Sequence, residues 1–530
     1  MDHPDWQFPY SSTRMPVFCR RGVATSQPLA AQAGLAVLQS GGNAVDAAIA
    51  TAITLTVVEP NMNGIGSDAF AMVWDGQQLH GLDASGAAPA AWTQAHFARY
   101  ASMPVRGWDT VTVPGCVSAW VALSRRFGRL PFERLFESAI RHARNGFAVS
   151  PISATNWARQ AEELRNFDDF ARDFLPNGVA PQPGERFHIP AQADTLAEIA
   201  ATAGESFYRG RLAGLIARHA RASGGQLDEA DLAAHQPSWV TPLSVDFKGH
   251  TLHEMPPAGQ GLSALIALGI LEARSDFASL PLDDPYSVHL QIEAMKLGFA
   301  DTHARVADPR FMTVAPQDLL APDYLAARAR LIDPLRAQVF GPGEIAPGGT
   351  VYLTAVDDEG GMVSFIQSNY MGFGSGIVVP GTGIALQNRG ACFTLDPAHP
   401  NVVAPGKRPY HTILPGFVTR AGKPLLSFGV MGAIMQPQGH VQMMVRMAMH
   451  RQNPQAACDA PRWQVDAQQN TDLESSYGVD TVSKLRAMGH TLPAAGSAFG
   501  FGGAQLMLRL PNGFFCGASD SRKDGLVAGD

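Results

Sequence analysis

Residues 350–370 read TVYLTAVDDEGGMVSFIQSNY, and this stretch decides how the chain is expected to fold. Two runs of β-prone residues flank the turn sequence DDEGG, a pattern that predicts a β-hairpin. Residues 341–349, GPGEIAPGG, come directly before it and carry four glycines and two prolines, which predicts an exposed loop. The chain therefore passes from a loop into a strand at Gly349 and Thr350.

Thr350 is the residue of this junction whose side chain could carry chemistry. A threonine that opens a strand is most often there for its β-branched shape alone. If the chain were cut before Thr350, the residue would hold both a hydroxyl nucleophile and a free α-amine. Such an amine has a pKa of about 8 and serves as a general base near neutral pH without a histidine. The pattern alone leaves both interpretations open.

Helices and further hairpins are expected on both sides of this stretch. Residues 28–39 predict a helix, with Ser26 as its N-cap and Gly41-Gly42 at its end. A second helix is expected from about residue 43 to 60, and a long amphipathic helix from 285 to 308. Hairpin turns are predicted at Asp75-Gly76, Ala421-Gly422-Lys423 and Pro511-Asn512-Gly513. Helices mixed with hairpins favour an α+β fold of packed layers.

Composition excludes several classes of function. The 530 residues contain 40 Lys and Arg against 47 Asp and Glu, a net charge of −7, which disfavours nucleic acid and anionic membranes as partners. No apolar run reaches the length of about 20 residues that a membrane helix needs. The first thirty residues lack the apolar segment of a secretory signal. The five cysteines show no zinc-ligand spacing, so buried free thiols and a cytoplasmic location are expected.

Two short motifs that suggest cofactor or metal sites are rejected. Residues 64–69, GIGSDA, fit a dinucleotide pattern but follow a predicted helix and precede a predicted strand, the reverse of the required order. His250, His253 and Glu254 lie in a short β-like segment, where an HExxH zinc helix cannot form. We therefore expect no cofactor and no metal.

Several longer motifs, in one consistent order, resemble the γ-glutamyltransferase family of N-terminal-nucleophile hydrolases. They are GGNAVDAAIATAITLTVVEPNMNGIGSDAF (41–70), VTVPG (111–115), IEAMKLGFAD (292–301), the stretch 350–388, PGKRPYHTILPG (405–416), GGAQ (502–505) and SRKDG (521–525). The resemblance runs from about residue 22 to the C-terminus. It implies a four-layer αββα sandwich, made as one proenzyme that cuts itself before a nucleophilic threonine.

In this sequence the resemblance makes Thr350 the nucleophile and the bond from Gly349 to Thr350 the cleavage site. Residues 1–349 would then form the large chain and 350–530 the small chain of a single αββα unit, with 349 and 181 residues. The implied partners are a small-molecule amide substrate and the two chains of one precursor. A homo-oligomer is left open.

The catalytic residues of the family carry over one by one. Thr350 would attack an amide carbonyl and form an acyl-enzyme. Ser368 falls where the family has a threonine that supports the nucleophile, although a serine in a strand can equally be structural. Gly432 and Ala433 fall on a Gly-Gly pair whose backbone N–H groups stabilise the oxyanion, and alanine retains that donor.

The glutamyl-binding residues of the family, in contrast, are replaced. Ser85 falls on the arginine that clamps the substrate α-carboxylate, and Ala391-Cys392 fall near the acidic residue for its α-ammonium. A serine pair becomes His411-Thr412, and a pocket asparagine becomes Tyr370. Loss of both the cation and the anion weakens recognition of a zwitterionic glutamyl head.

Arg389 is the leading replacement for the missing cation, with a surface arginine as the alternative. Tyr370, His411 and Thr412 are the other predicted substrate-binding residues, with a hydrogen-bonded structural histidine as the alternative for His411. The pattern resembles the divergent branch of the family, which includes glutathione hydrolase-like proteins and an oxamate amidohydrolase. We expect an amidohydrolase that hydrolyses or transfers a γ-glutamyl-type acyl group. The alternatives are a small carboxylated amide such as oxamate, and an uncut homologue without activity.

Overall fold

A computed structural model describes Tyr10 and residues 14–340, 349–492 and 498–530. The α-helices in these ranges are α1 (Pro28–Gln39), α2 (Ala44–Val58), α3 (Gln94–Phe97), α4 (Cys116–Phe127), α5 (Glu137–Asn145), α6 (Pro151–Leu164), α7 (Asp168–Phe174), α8 (Pro190–Ala201), α9 (Glu205–Arg209), α10 (Arg211–Ala222), α11 (Glu229–Ala234), α12 (Gly261–Glu272), α13 (Pro285–Arg305), α14 (Pro322–Ala329), α15 (Met435–Met444), α16 (Pro454–Asp459) and α17 (Val479–Ala487).

The strands in the same ranges are β1 (Val17–Cys19), β2 (Gly22–Thr25), β3 (Asp68–Trp74), β4 (Leu79–Asp83), β5 (Phe147–Ala148), β6 (Arg186–Phe187), β7 (Ser238–Val240), β8 (Leu243–Phe247), β9 (His250–Glu254), β10 (Gly349–Val356), β11 (Met362–Tyr370), β12 (Val378–Val379), β13 (Ile384–Ala385), β14 (Gly416–Arg420), β15 (Lys423–Met431), β16 (Trp463–Val465), β17 (Thr471–Leu473), β18 (Gly503–Arg509), β19 (Phe515–Ser519) and β20 (Leu526–Gly529).

Two seven-stranded antiparallel sheets form the centre of the molecule. Sheet A has the strand order β20-β2-β10-β11-β3-β4-β7, and sheet B has the order β1-β19-β18-β15-β14-β9-β8. The predicted hairpin of residues 350–370 forms β10 and β11 in the middle of sheet A, where Tyr352 lies opposite Ile366. The predicted hairpins β3–β4, β14–β15 and β18–β19 are also confirmed.

The sheets pack face to face, with helices outside them. Tyr352 and Val356 of β10 face sheet B and share a core with Met431 of β15. Val351 and Leu353, which point the opposite way, belong to a second core under the helices on sheet A. This alternation follows from the two-residue period of a strand. Because α2 and α4 contact sheet A while α12 and α15 contact sheet B, the predicted αββα sandwich is confirmed.

Helices α1 and α2 correspond to the helices predicted for residues 28–39 and 43–60, and they pack against each other. Asn43 caps α2 and forms a capping box with Asp46. The predicted N-cap of α1 is wrong by one residue: the Gln27 side chain accepts the first N–H groups of the helix. The Ser26 hydroxyl instead donates to the buried Glu59 carboxylate, a group that burial makes costly without hydrogen bonds.

Other expectations are adjusted by the structure. The helix predicted for 285–308 ends at Arg305. All five cysteines are free thiols, and Cys392 is partly exposed whereas the other four are buried. The loop expected at 341–349 lies outside the described residues, apart from Gly349 at the start of β10. Within the described ranges, no helix has both the length and the apolar character needed to cross a membrane.

Candidate active site

The predicted nucleophile and its supporting hydroxyl lie side by side where β10 begins and β11 ends. Thr350 Oγ1 is 3.2 Å from Ser368 Oγ, and both residues are buried. The strand register shifts between Gly349 and Val351, so that Ser368 and Asn369 of β11 lie opposite Thr350 alone, an arrangement that often re-aims a side chain. The structure therefore brings these two predicted residues within hydrogen-bond distance.

Gln436 is a second side chain that contacts the Thr350 hydroxyl, and the sequence analysis gave it no role. Its amide nitrogen Nε2 is 3.4 Å from Thr350 Oγ1, and its Oε1 accepts the backbone N–H of Leu414. Gln436 lies in the first turn of α15, shortly after strand β15 of sheet B ends. Because sheet B packs on sheet A, this turn lies next to the start of β10. No local sequence signal distinguishes this glutamine from others.

The predicted oxyanion residues form the turn between β15 and α15. Gly432 has φ 118° and Ala433 has φ 51°, so both adopt the left-handed region that favours glycine. The Ala433 carbonyl accepts a hydrogen bond from Gln260 Nε2, which also donates to the Thr412 carbonyl. A non-glycine residue held at positive φ stores strain, a feature common at functional turns.

Arg389 is buried, so the alternative of a surface arginine is wrong. Its Nη1 donates to Thr412 Oγ1 at 2.8 Å, and its guanidinium lies over the Tyr370 ring at 4.7 Å. Its Nε and Nη2 have no hydrogen-bond partner among the described residues. These two nitrogens form one edge of the planar fork, the edge that binds a carboxylate through two parallel hydrogen bonds.

Asp68 is the carboxylate of this site, and the sequence analysis gave it no role. Its Oδ2 is 3.7 Å from Arg389 Nε and 3.2 Å from His411 Nε2. The register of sheet A places it directly opposite Ser368 in the neighbouring strand. The strand sequence DAFAMVW (68–74) did contain a signal for a buried carboxylate. The two-residue period of a strand puts Asp68 on the same face as Phe70, which lies in the core between the sheets.

Burial controls the charges of this cluster. It raises the pKa of Asp68 to about 7, because the Arg389 charge only partly replaces the lost hydration. It lowers the pKa of His411 well below the ordinary value, and the nearby charges of Arg389 and Arg408 act in the same direction. His411 is therefore neutral near pH 7. Its Nδ1 has no hydrogen-bond partner among the described residues.

Tyr370 connects the hydroxyl pair to the arginine. Its backbone N–H donates to Ser368 Oγ at 2.8 Å, and its φ of 73° is strained for a bulky residue. Burial raises the pKa of its phenol well above the ordinary value, so the ring under Arg389 is neutral. The predicted residues Thr350, Ser368, Tyr370, Arg389 and Thr412 are thus linked by direct contacts, and His411 joins them through Asp68.

Ser85, which the sequence analysis aligned with the family arginine, forms its hydrogen bond outside the cluster of Arg389 and Asp68. Its hydroxyl donates to Asp83 Oδ1 at 2.7 Å, and Asp83 also pairs with Arg408 at 3.4 Å. Cys392 lies at the edge of the cluster, with its sulfur 4.0 Å from Arg389 Nη1. The cation of the site is therefore supplied by Arg389.

A separate group of potential metal ligands consists of His289, Glu293 and His490. His289 Nδ1 and His490 Nε2 are 2.8 Å apart, and Lys296 Nζ donates to the Glu293 carboxylate at 2.8 Å. An ammonium group on the only carboxylate of the set, with the imidazoles bonded to each other, is an internally satisfied network. The donors as arranged here do not fit a metal ion.

The sequence of this chain is similar to a known protein family and to several named proteins. The family model described as Gamma-glutamyltranspeptidase matches residues 30–530. The oxamate amidohydrolase proenzyme of Klebsiella pneumoniae is 39% identical over 517 residues, covering 94% of this chain and 97% of that protein. The glutathione hydrolase-like YwrD proenzyme of Bacillus subtilis is 35% identical over 518 residues, covering 96% and 98%.

Among solved structures, a cephalosporin acylase from Bacillus halodurans superposes with a TM-score of 0.94. It is 45% identical in sequence, and the match covers 99% of each chain. Relatives that are named as hydrolases and acylases, and as proenzymes, thus match 94–97% of this chain.

Proposed function

The chain belongs to the gamma-glutamyltranspeptidase family of N-terminal-nucleophile hydrolases, and we propose from that membership that it cuts itself between Gly349 and Thr350. The cut would produce a large chain of residues 1–349 and a small chain of 350–530. The contact between Thr350 and Ser368 supports this assignment, since a nucleophilic hydroxyl needs a polar neighbour.

Self-cleavage would begin with attack of Thr350 Oγ1 on the Gly349 carbonyl carbon. The C–N bond to Thr350 breaks as the C–O bond forms, and the proton of the hydroxyl moves to the released amine. Water then hydrolyses the ester, which frees the Gly349 carboxylate and restores the hydroxyl. Ser368 and Gln436 are placed to orient Thr350 Oγ1 for this attack.

Amide hydrolysis would use the new α-amine of Thr350 as the base. The amine takes the hydroxyl proton while Oγ1 attacks the substrate carbonyl, and the oxyanion is stabilised by the N–H groups of Gly432 and Ala433. Collapse expels the substrate amine with that proton and leaves an ester on Thr350. Water hydrolyses the ester in the reverse sense and regenerates the enzyme.

The observation that best supports a substrate is the Nε–Nη2 edge of the buried Arg389, which has no hydrogen-bond partner among the described residues. It suits one carboxylate bound close to the nucleophile, as in a small carboxylated amide such as oxamate. Hydrolysis of oxamate yields oxalate and ammonia. The name of the Klebsiella relative supports the same substrate class.

A γ-glutamyl amide is the second candidate, with hydrolysis or transfer of its acyl group and a place in glutathione metabolism. Asp68 favours it, because a carboxylate beside Arg389 could receive the α-ammonium of a glutamyl head. The name of the YwrD relative supports this candidate. We also propose a cytoplasmic location, which the five free thiols support.

A substrate panel separates the two candidates. The processed enzyme is assayed for ammonia or amine release from oxamate, glutathione and a γ-glutamyl anilide, with and without an amine acceptor. We expect the highest kcat/KM for oxamate and little effect of the acceptor. A preference for either γ-glutamyl compound would overturn the small-amide proposal in favour of the second candidate.

A further inference from the structure

The cluster of Asp68, His411 and Arg389 has consequences for how an anion binds. We propose that the Asp68–His411 pair takes up one proton when a carboxylated substrate binds to Arg389, so that the enzyme binds its anionic substrate together with a proton. The proposal rests on the proposed function, since it requires that Arg389 binds a carboxylate. It adds Asp68 as the residue that sets which substrate charge is accepted at a given pH.

The first step of the argument is the balance of charge in a closed space. Asp68 and Arg389 have no measurable side-chain exposure, and Asp68 Oδ2 is 3.7 Å from Arg389 Nε. Ionised Asp68 therefore neutralises the guanidinium. A substrate carboxylate on the Nε–Nη2 edge would approach Asp68 and leave one uncompensated negative charge. Two carboxylates that share one buried site do not both stay ionised, and one of them takes a proton.

The second step is the path of hydrogen bonds. His411 Nε2 faces Asp68 Oδ2, and His411 Nδ1 has no partner among the described residues. With Asp68 ionised, Nε2–H donates to it and Nδ1 is an acceptor. Addition of one proton to the pair makes Nδ1 a donor, whether the pair is then imidazolium with carboxylate or imidazole with carboxylic acid. The same proton that cancels the excess charge thus turns His411 Nδ1 from an acceptor into a donor.

The other charged and titratable groups around Asp68 do not supply the site that takes up this proton. They are Asp83 on β4, Arg408 before β14, Cys116 on α4, Cys392 beside Arg389, and Tyr208 on α9. Asp83 and Arg408 pair with each other. Burial raises the pKa values of Cys116, Cys392 and Tyr208, so these groups stay neutral.

The direction of the pH effect follows. Burial raises the pKa of Asp68 to about 7 in the free enzyme, and a bound anion raises it further. Below pH 7 the pair already holds its proton, so the affinity for a carboxylate is constant. Above pH 7 the proton must be taken from solvent, so Kd rises with pH, at most about tenfold per unit for one proton.

Isothermal titration calorimetry with oxalate as the probe tests this directly. Oxalate has no amide to hydrolyse, and titrations at pH 8 in two buffers of different ionisation enthalpy count the protons exchanged. We expect uptake of about one proton per oxalate in the processed wild-type enzyme. Asp68→Asn should take up about one proton fewer per oxalate than wild type, since any uptake by the Thr350 α-amine is common to both proteins. At pH 9 it should bind oxalate at least about tenfold more tightly than wild type. The matched control Asp83→Asn, which changes the neighbouring carboxylate, should retain the uptake.

The outcomes separate this proposal from the proposed function. Binding of oxalate without proton uptake would overturn the role of Asp68 and leave Arg389 as the carboxylate site. Failure of oxalate to bind would overturn both. If Asp68→Asn does not fold, wild-type kinetics still decide: KM for oxamate should rise above pH 7, whereas KM for ethyl oxamate, whose carboxylate is an ester, should not. Equal pH profiles for the two substrates would contradict the proposal.

Discussion

Thr350 and Thr354 are two buried threonines of the same strand, and only the first has the proposed chemistry. Thr350→Ala removes the attacking oxygen, so we expect one uncut chain of 56.4 kDa and no amidase activity. Thr354→Ala is the matched control, because that hydroxyl bonds to Ser427 and should not affect cleavage. Mass spectrometry of both proteins checks the prediction, and normal cleavage of Thr350→Ala before residue 350 would contradict it.

The second prediction at the scale of residues concerns Arg389. Arg389→Gln keeps most of the length and hydrogen bonding of the side chain but removes the charge, so KM for oxamate should rise by at least about 30-fold, or about 2 kcal/mol. Self-cleavage should stay near normal, since a neutral peptide bond needs no carboxylate clamp. Arg408→Gln is the control, because that arginine pairs with Asp83. Steady-state kinetics give both values, and an unchanged KM in Arg389→Gln would exclude Arg389 from substrate binding.

The residues of the site differ in how far the sequence could predict them. Thr350 stands at a recognisable junction of loop and strand, Ser368 lies in a motif that resembles the family, and Arg389 directly follows that motif. Asp68 lies in such a motif too, but its partners are more than 300 residues away, at 389 and 411. That contact depends on the pairing of β3 with β11, which no local pattern specifies. Gln436 was missed for the same reason.

At the scale of elements, α1 and α2 are packed so closely that a glycine is required between them. A Cβ on Gly34 would lie 2.2 Å from Thr51 Oγ1 and 3.1 Å from the Ala47 carbonyl oxygen. Gly34→Ala should therefore lower the free energy of unfolding by about 1–3 kcal/mol through overpacking, despite the better helix propensity of alanine. Thermal unfolding measures the change.

Gly214 of α10 is the matched control for that substitution. A Cβ there would meet only the ends of long side chains, with Arg218 Nη1 at 3.1 Å and Glu229 Oε1 at 3.5 Å. Gly214→Ala should be neutral or stabilise the protein by up to about 1 kcal/mol, because alanine favours a helix. Equal effects of the two substitutions would show that the contact of α1 with α2 is not tight.

The elements themselves were largely predictable, because each relies on local signals. The helix pair was indicated by its glycines and by Asn43, and the hairpins by turn residues at Asp75-Gly76 and Ala421-Gly422. The cap of α1 was not, since local preference favours Ser26 over Gln27 as an N-cap, whereas the Ser26 hydroxyl bonds to Glu59 at the far end of α2. A tertiary contact thus overrides the local signal here.

At the scale of the whole molecule, each of the two sheets would contain strands from both chains after the proposed cut at Thr350. In sheet A the small-chain strands β10 and β11 lie between β2 and β3 of the large chain, and β20 pairs with β2. In sheet B the small-chain strands β19, β18, β15 and β14 lie between β1 and β9. Neither chain could leave without breaking strand pairs at several places, so the two should stay together after cleavage.

This interleaving predicts how the processed enzyme unfolds. Under native conditions the two chains should elute as one species from a sizing column and separate only in denaturant. Unfolding then dissociates one complex into two separate chains. The midpoint temperature of unfolding should therefore rise with protein concentration, by about 1 °C for each tenfold increase in a protein of this size. The uncut Thr350→Ala protein unfolds as a single chain, and if it is monomeric its midpoint should not depend on concentration. Calorimetry of both proteins over a hundredfold range of concentration makes the comparison, and separation of the chains without denaturant would contradict the proposed division of the sheets.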